Sequence, residues 1–207
     1  MISYMFMVLY YHKTLSQDHR DHNAYPGLAN GHHTQSRETD MADKKLNLKE
    51  IIEMAIQIET AGAAFYKKLN ELAETDETRE LFSHLEKAEY KHIEDFETIL
   101  KEALSRPGQH EYATTEVDLL YLRAFASRRI FTSTEDAVNK AEDLSDVIEA
   151  INMALDFELK SVGFYREIAD MIENPDDSAS VSELEKQEKE HAAYLYRVRE
   201  RIEGSKQ

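Results

Sequence analysis

The sequence predicts an all-α protein, a four-helix bundle made of two copies of one helical hairpin joined by a long, partly helical crossover. Three observations carry that reading. The stretch from Glu59 to His92 returns without a gap as Glu158 to His191. Each copy runs Glu, then Phe-Tyr (Phe65-Tyr66, Phe164-Tyr165), then Glu-x-x-His (Glu89 and His92, Glu188 and His191). A unit present twice is a duplicated hairpin, since a solenoid needs three or more repeats. Apolar residues also recur at the three-four spacing of a buried helical face: Ile51, Ala55, Ile58, Gly62, Phe65, Leu69 and Leu72 in one segment, Phe82, Leu85, Ile93, Phe96 and Leu100 in the next. Finally, three prolines, six glycines and few alternating β-branched runs leave little material for a sheet.

Along the chain, residues 1–40 stand apart from this pattern. Met1 to Tyr11 is apolar but has no basic flank and is too short to span a bilayer. His12 to Asp40 is polar, without helical period, and its histidines (His12, His19, His22, His32, His33) are read as incidental to a disordered segment. Met41 opens Met-Ala-Asp-Lys-Lys, which reads like a natural start. Residues 1–40 are therefore expected to be disordered or a mis-assigned extension, and 41–207 the folded domain.

The first helix is expected over about 48–74, and Thr75-Asp76-Glu77-Thr78 turns the chain into a second over about 77–104. Arg106-Pro107-Gly108 ends it, because proline cannot continue the backbone hydrogen bonding and glycine suits the exit. The connection over 107–143 holds an amphipathic stretch, Val117 to Phe131, expected as a short helix, and Ser133-Thr134-Glu135-Asp136 reads as the cap of another. A crossover of this length lets the second and third helices run parallel. Its apolar face invites packing against a second copy, so a homodimer is expected. The third helix is expected over about 144–172, Asn174-Pro175-Asp176-Asp177 as a turn, and the fourth helix over about 178–203.

Periodicity places Glu59 and Glu158 beside the apolar stripes and sets Glu89, His92, Glu188 and His191 in gaps within them, so four carboxylates point at the core. At separations of about 6 Å and an effective dielectric near 20, each pair costs roughly 2–3 kcal/mol and six pairs on the order of 15 kcal/mol. That is comparable to the whole stability of a domain. Cations or protons must offset it. Two divalent metal ions match four carboxylates in charge, and the imidazoles of His92 and His191 add neutral nitrogen ligands. Glu-x-x-His suits this because residues three apart share a helical face. One Glu from each of two helices, plus Glu-x-x-His from each of the other two, is the ligand set of carboxylate di-iron and di-manganese bundles. Of nine histidines, only His92 and His191 have a Glu three positions before them, which separates this pattern from an accidental one. His84 falls off the ligand face and is expected at the surface. Tyr66 and Tyr165, seven residues after their glutamates, lie two turns along the same face. Each is either a hydrogen-bond partner of a ligand carboxylate or an ordinary core aromatic.

The doubled Glu…Phe-Tyr…Glu-x-x-His pattern, within roughly residues 46–203, resembles the rubrerythrin-like branch of the ferritin-like superfamily. The resemblance implies a ferritin-like bundle in which Glu59, Glu89, His92, Glu158, Glu188 and His191 hold two iron ions, with two glutamates bridging them; manganese or zinc are the alternative metals. Two departures matter. Rubrerythrins carry a further Glu three residues after the third-helix ligand, where this chain has Ser161, which bears on the ligand exchange associated with that carboxylate. They also carry a four-cysteine rubredoxin domain, whereas this chain has no cysteine. Electrons must then come from an external donor, such as a separate rubredoxin or a small reductant.

The absence of cysteine excludes disulfides and thiolate ligands and agrees with a cytoplasmic protein. A formal charge of −16 argues against a nucleic-acid partner, which would need a basic surface. No phosphate-cradling glycine loop or nucleophile elbow occurs, and Ser161 and Ser182 are read as packing or capping residues. The leading expectation is a hydrogen peroxide reductase of oxidative-stress defence, with Glu59, Glu89, Glu158 and Glu188 as the catalytic carboxylates. Two ferrous ions held together deliver the two electrons that O–O cleavage needs. One rival is a ferroxidase using oxygen, since a six-ligand set without a carboxylate at Ser161 also resembles the bacterioferritin centre. The other is a non-enzymatic bundle whose zinc or manganese only neutralises the glutamates.

Overall fold

Helix boundaries in this chain are set by side chains that satisfy the otherwise unpartnered N–H groups of each first turn. The computed structural model describes residues 48–106, 116–127 and 130–205, and over these the chain forms six helices and no strand, the all-α architecture expected. They are α1 (Leu48–Leu72), α2 (Asp76–Ser105), α3 (Glu116–Ser127), α4 (Thr134–Glu142), α5 (Val147–Met171) and α6 (Pro175–Gly204). The expectations for residues 1–40, for a start at Met41 and for a stop at Pro107-Gly108 lie outside the described residues.

Thr75 caps α2 by accepting from the Thr78 N–H, and Ser133 caps α4 by accepting from that of Asp136. The third long helix begins at Val147 rather than Leu144, because the Asp146 carboxylate accepts from the N–H groups of Ile148 and Glu149. The fourth begins three residues before the expected Ser178. Asn174 accepts from the N–H groups of Asp176 and Asp177, which makes Pro175 the first helical residue, a position where its missing N–H costs nothing. The stretch read as a turn is thus the cap and first turn of α6. α3 also stops at Ser127, short of Phe131, and Leu72 ends the apolar stripe of α1 half exposed.

Side-chain pairs fix the helix directions. Asn70 reaches Glu86, and His92 lies against Glu59, so α1 and α2 are antiparallel. Arg166 donates to Glu185 and Arg199 to Asn152, which makes α5 and α6 antiparallel. Between hairpins, Arg106 at the end of α2 holds Asp177 in the first turn of α6, while Arg201 near the end of α6 holds Glu77 at the start of α2. Hence α2 and α6 are antiparallel, and α2 and α5 run parallel, as the crossover length predicts.

The crossover closes the core. Phe131 is buried with its ring 4.7 Å from that of Phe65 and 5.2 Å from that of Phe157. Phe125 of α3 stacks on Phe164 at 5.8 Å. α4 lies along α1 through buried Ala137 and Ala141, and Lys68 pairs with Glu142 at 2.7 Å. No described helix is long and apolar enough to cross a membrane.

The Arg106–Asp177 pair is bidentate, at 2.7 and 2.8 Å, with the Asp177 side chain 4% exposed. Removing the guanidinium leaves a buried carboxylate without its counter-charge. Arg106→Ala is therefore expected to lower the urea midpoint clearly more than Arg201→Ala, which breaks a solvated pair, and more than the double change Arg106→Ala/Asp177→Asn. Equal midpoints would contradict a role for this pair in joining the hairpins.

Candidate metal centre

Each long helix turns part of the Glu/His set inward. Glu59 comes from α1, Glu89 and His92 from α2, Glu158 from α5, Glu188 and His191 from α6, and the three-residue step puts each Glu-x-x-His on one helical face. All four glutamates are 0% exposed, His92 is 1% exposed and His191 9%. One ligand atom from each of Glu89, His92, Glu188 and His191 lies within 4.8 Å of the others. Glu59 and Glu158 flank this group: Glu59 Oε2 is 3.3 Å from His92 Nδ1, and Glu158 Oε2 is 3.6 Å from His191 Nδ1. The structure thus brings together all six residues singled out in the sequence.

Both histidines present Nδ1 to the carboxylates. His92 Nδ1 lies 2.8 Å from Glu188 Oε1 of the other hairpin, His191 Nδ1 lies 3.3 Å from Glu188 Oε2, and the two rings stack at 5.3 Å. Glu59 Oε1, both oxygens of Glu89, Glu158 Oε2 and Glu188 Oε1 have no hydrogen-bond partner among the described residues; the close His92 Nδ1 approaches Glu188 Oε1 outside hydrogen-bond geometry. Buried carboxylate oxygens without donors are expensive and call for a counter-charge. Four carboxylates and two imidazole nitrogens converging from four helices fit a pair of divalent cations.

A family model described as a ferritin-like domain matches residues 47–201. The chain belongs to the ferritin-like family. No curated protein and no solved structure gives a significant match.

In this ferritin-like domain the residues around the glutamates differ between repeats. Tyr66 Oη donates to Glu158 Oε1 across the hairpin interface, whereas Tyr165, its repeat counterpart, packs its ring 5.0 Å from Phe96 and its hydroxyl has no partner among the described residues. A Cβ on Gly62 would stand 2.4 Å from Phe157 Cζ and 3.2 Å from Glu89 Cδ. Glycine is thus required there by close approach, and it lets the Phe157 ring seal the centre. Ser161, at the matching position of α5, is buried with its hydroxyl unpartnered.

Gln187 escaped the sequence reading, and His84 lies nearer the cluster than its surface position implied. Gln187 Oε1 lies 3.2 Å from His92 Nε2, and its only sequence signal was that the repeat carries Ala88 at that position. His84 is exposed as expected, yet its ring stands edge-on to His191 at 6.3 Å and to Tyr194 at 5.9 Å.

Electrostatics divides the cluster. Burial first, and the Glu188 charge second, push Glu59 well above the usual carboxylate range; burial and then Glu59 do the same to Glu89. Burial and the Glu188 charge raise Glu158 to about 8. Burial works against Glu188 as well, but its interactions with Glu158, His191 and the close His92 charge outweigh it and hold Glu188 below the usual range. Burial opposes the imidazolium of His92, yet Glu188 raises it to about 9, and Glu158 with Glu188 raises His191 to about 10. Without metal, protons do the neutralising: an ionised Glu188 sits between two imidazoliums.

Glu188, held low, stays ionised over the working range, and the raised groups set the pH dependence there. A carboxyl raised from 4.5 to about 8 and imidazoles raised from 6.5 to about 9 and 10 bind protons in the folded state that the unfolded chain has released. Their contribution is complete below the unfolded values and is lost as pH rises through the folded ones. Metal-free protein is expected to melt at lower temperature at pH 9 than at pH 6. Metal-loaded protein should lose this trend, since metal ligands must be deprotonated and affinity rises with pH. Calorimetric melts of chelator-treated and loaded samples check both, and a metal-free Tm that climbs over this window would contradict the proton-neutralised cluster.

Proposed function

We propose that this ferritin-like domain is a non-haem di-iron oxidoreductase of rubrerythrin type that reduces hydrogen peroxide to water in cytoplasmic oxidative-stress defence. The observation that carries the reading is the buried set of six, with five carboxylate oxygens that have no hydrogen-bond partner among the described residues. Glu59, Glu89, His92, Glu158, Glu188 and His191 would hold the two ions, manganese or zinc being the redox-silent or slower alternatives. Held there as a ferrous pair, iron would supply the two electrons, one from each ion, that cleavage of the O–O bond consumes.

The protein's own part is binding, orientation and exclusion of water. The four carboxylates favour the more highly charged oxidised state by Coulomb attraction in a low-dielectric interior. Tyr66 holds one oxygen of Glu158 and so limits how that carboxylate swings. Phe65, Phe131 and Phe157 wall off the α1 side, while the greater exposure of His191 offers a small oxidant a way in. The electron donor in this reading is a separate partner, such as a rubredoxin.

A ferroxidase is the second reading. It is favoured by Ser161, which stands where rubrerythrins have their additional carboxylate and leaves a six-ligand set. Stopped-flow absorbance of anaerobic, Fe²⁺-loaded protein separates the two. About two irons per chain oxidised much faster by peroxide than by oxygenated buffer is the expected result. Equal rates, with iron consumed beyond two per chain, would replace the peroxidase by a ferroxidase.

A homodimer belongs to the same proposal, supported by the exposed Val117, Leu120 and Tyr121 on α3. Light scattering is expected to give twice the chain mass, and Leu120→Glu to give the monomer; a monomeric wild type would remove the dimer from the proposal.

A further inference from the structure

We propose that the two metal positions are unequal: Gln187 fixes His92 as an Nδ1 ligand and makes its position the tighter, and the His191 position is the one that exchanges. The inference rests on the di-metal reading above.

A neutral ring carries one N–H and one lone pair, and whatever the first nitrogen bonds to decides what the second can do. His92 Nε2 donates to Gln187 Oε1 at 3.2 Å, so the nitrogen that gives up its proton to a metal is Nδ1, which faces Glu59 at 3.3 Å and Glu188 at 2.8 Å. The ring is thereby held in the orientation and tautomer a metal requires. An acceptor on the far nitrogen also makes the near one more basic.

The second repeat has nothing equivalent. The residue matching Gln187 is Ala88, whose methyl group accepts no hydrogen bond, and the contacts of His191 among the described residues are Nδ1 to Glu158 and Glu188 together with the rings of His92 and His84. Position 84, a histidine here, is matched by Glu183, and Tyr194 by Asp95, so the outer layer differs at three places where the inner six residues do not. Burial agrees: His92 is 1% exposed, His191 9%, with exposed His84 beside it. One end of the cluster is oriented and closed, and the other is adjustable and within reach of solvent.

Cobalt(II) titration of the metal-free full chain, against a competing chelator, tests this without any turnover. Two steps are expected, the first lost in His92→Ala and the second in His191→Ala. Gln187→Ala should weaken the first step by about 10–100-fold, the range for removing an outer partner of a ligand histidine, and leave the second in place. Gln187→Glu, which keeps an acceptor oxygen, should restore the first step. In the NMR spectrum of the cobalt protein, one paramagnetically shifted imidazole N–H that exchanges slowly with solvent is expected in the wild type. It should be missing in Gln187→Ala. Two cobalt ions binding with Gln187→Ala indistinguishable from wild type would overturn this inference while sparing the di-metal reading; failure to bind two ions at all would overturn both.

Discussion

Four carboxylates buried at 0% exposure in one cluster are the constraint on which the rest of this structure depends. Their repulsion is on the order of a domain's whole stability, so the fold is tenable only with cations or protons at its centre. Both solutions are built into the same side chains. As protons, the charge resides on His92 and His191 around an ionised Glu188, with the other three glutamates pushed toward their neutral forms. As metal ions, it would be supplied from outside and the protons released. Metal affinity, pH and folding stability are therefore one linked equilibrium.

Around that cluster the packing does two things. It keeps water out through large rings, with Phe131 of the crossover between Phe65 and Phe157, and Phe125 on Phe164. It also fixes the register of the two hairpins, by Arg106 on Asp177 at one end and Arg201 on Glu77 at the other. The first of these is buried and bidentate, whereas the second is solvated and weak. Gly62 shows how tight the fit is: a single added carbon would displace either Phe157 or the Glu89 carboxyl.

The two copies contribute equally to the buried cluster but differ in what surrounds it. The six inner residues match one for one, but Tyr66 holds a carboxylate while Tyr165 does not, and Gln187 holds a histidine where Ala88 stands in the other copy. Pseudo-symmetric sites of this kind separate roles through the neighbours of the ligands rather than the ligands themselves.

The sequence by itself determined the helical class, the duplicated hairpin, the parallel course of α2 and α5 and the six residues of the cluster. These are local or periodic properties: a three-residue step sets a helical face, and a crossover's length sets the direction of the next helix. It was less able to place helix starts, because a cap is a geometric competition. Asn174-Pro175 reads equally as a turn or as a cap with proline in the first helical position, and only the N–H groups it satisfies decide. Everything that depends on contacts between the hairpins was decided by tertiary structure alone. Tyr66 on Glu158, Gln187 on His92, Phe157 over Gly62 and Arg106 on Asp177 join residues 71 to 95 positions apart. No periodicity spans such a separation, since it arises only when two amphipathic hairpins close on a shared buried charge.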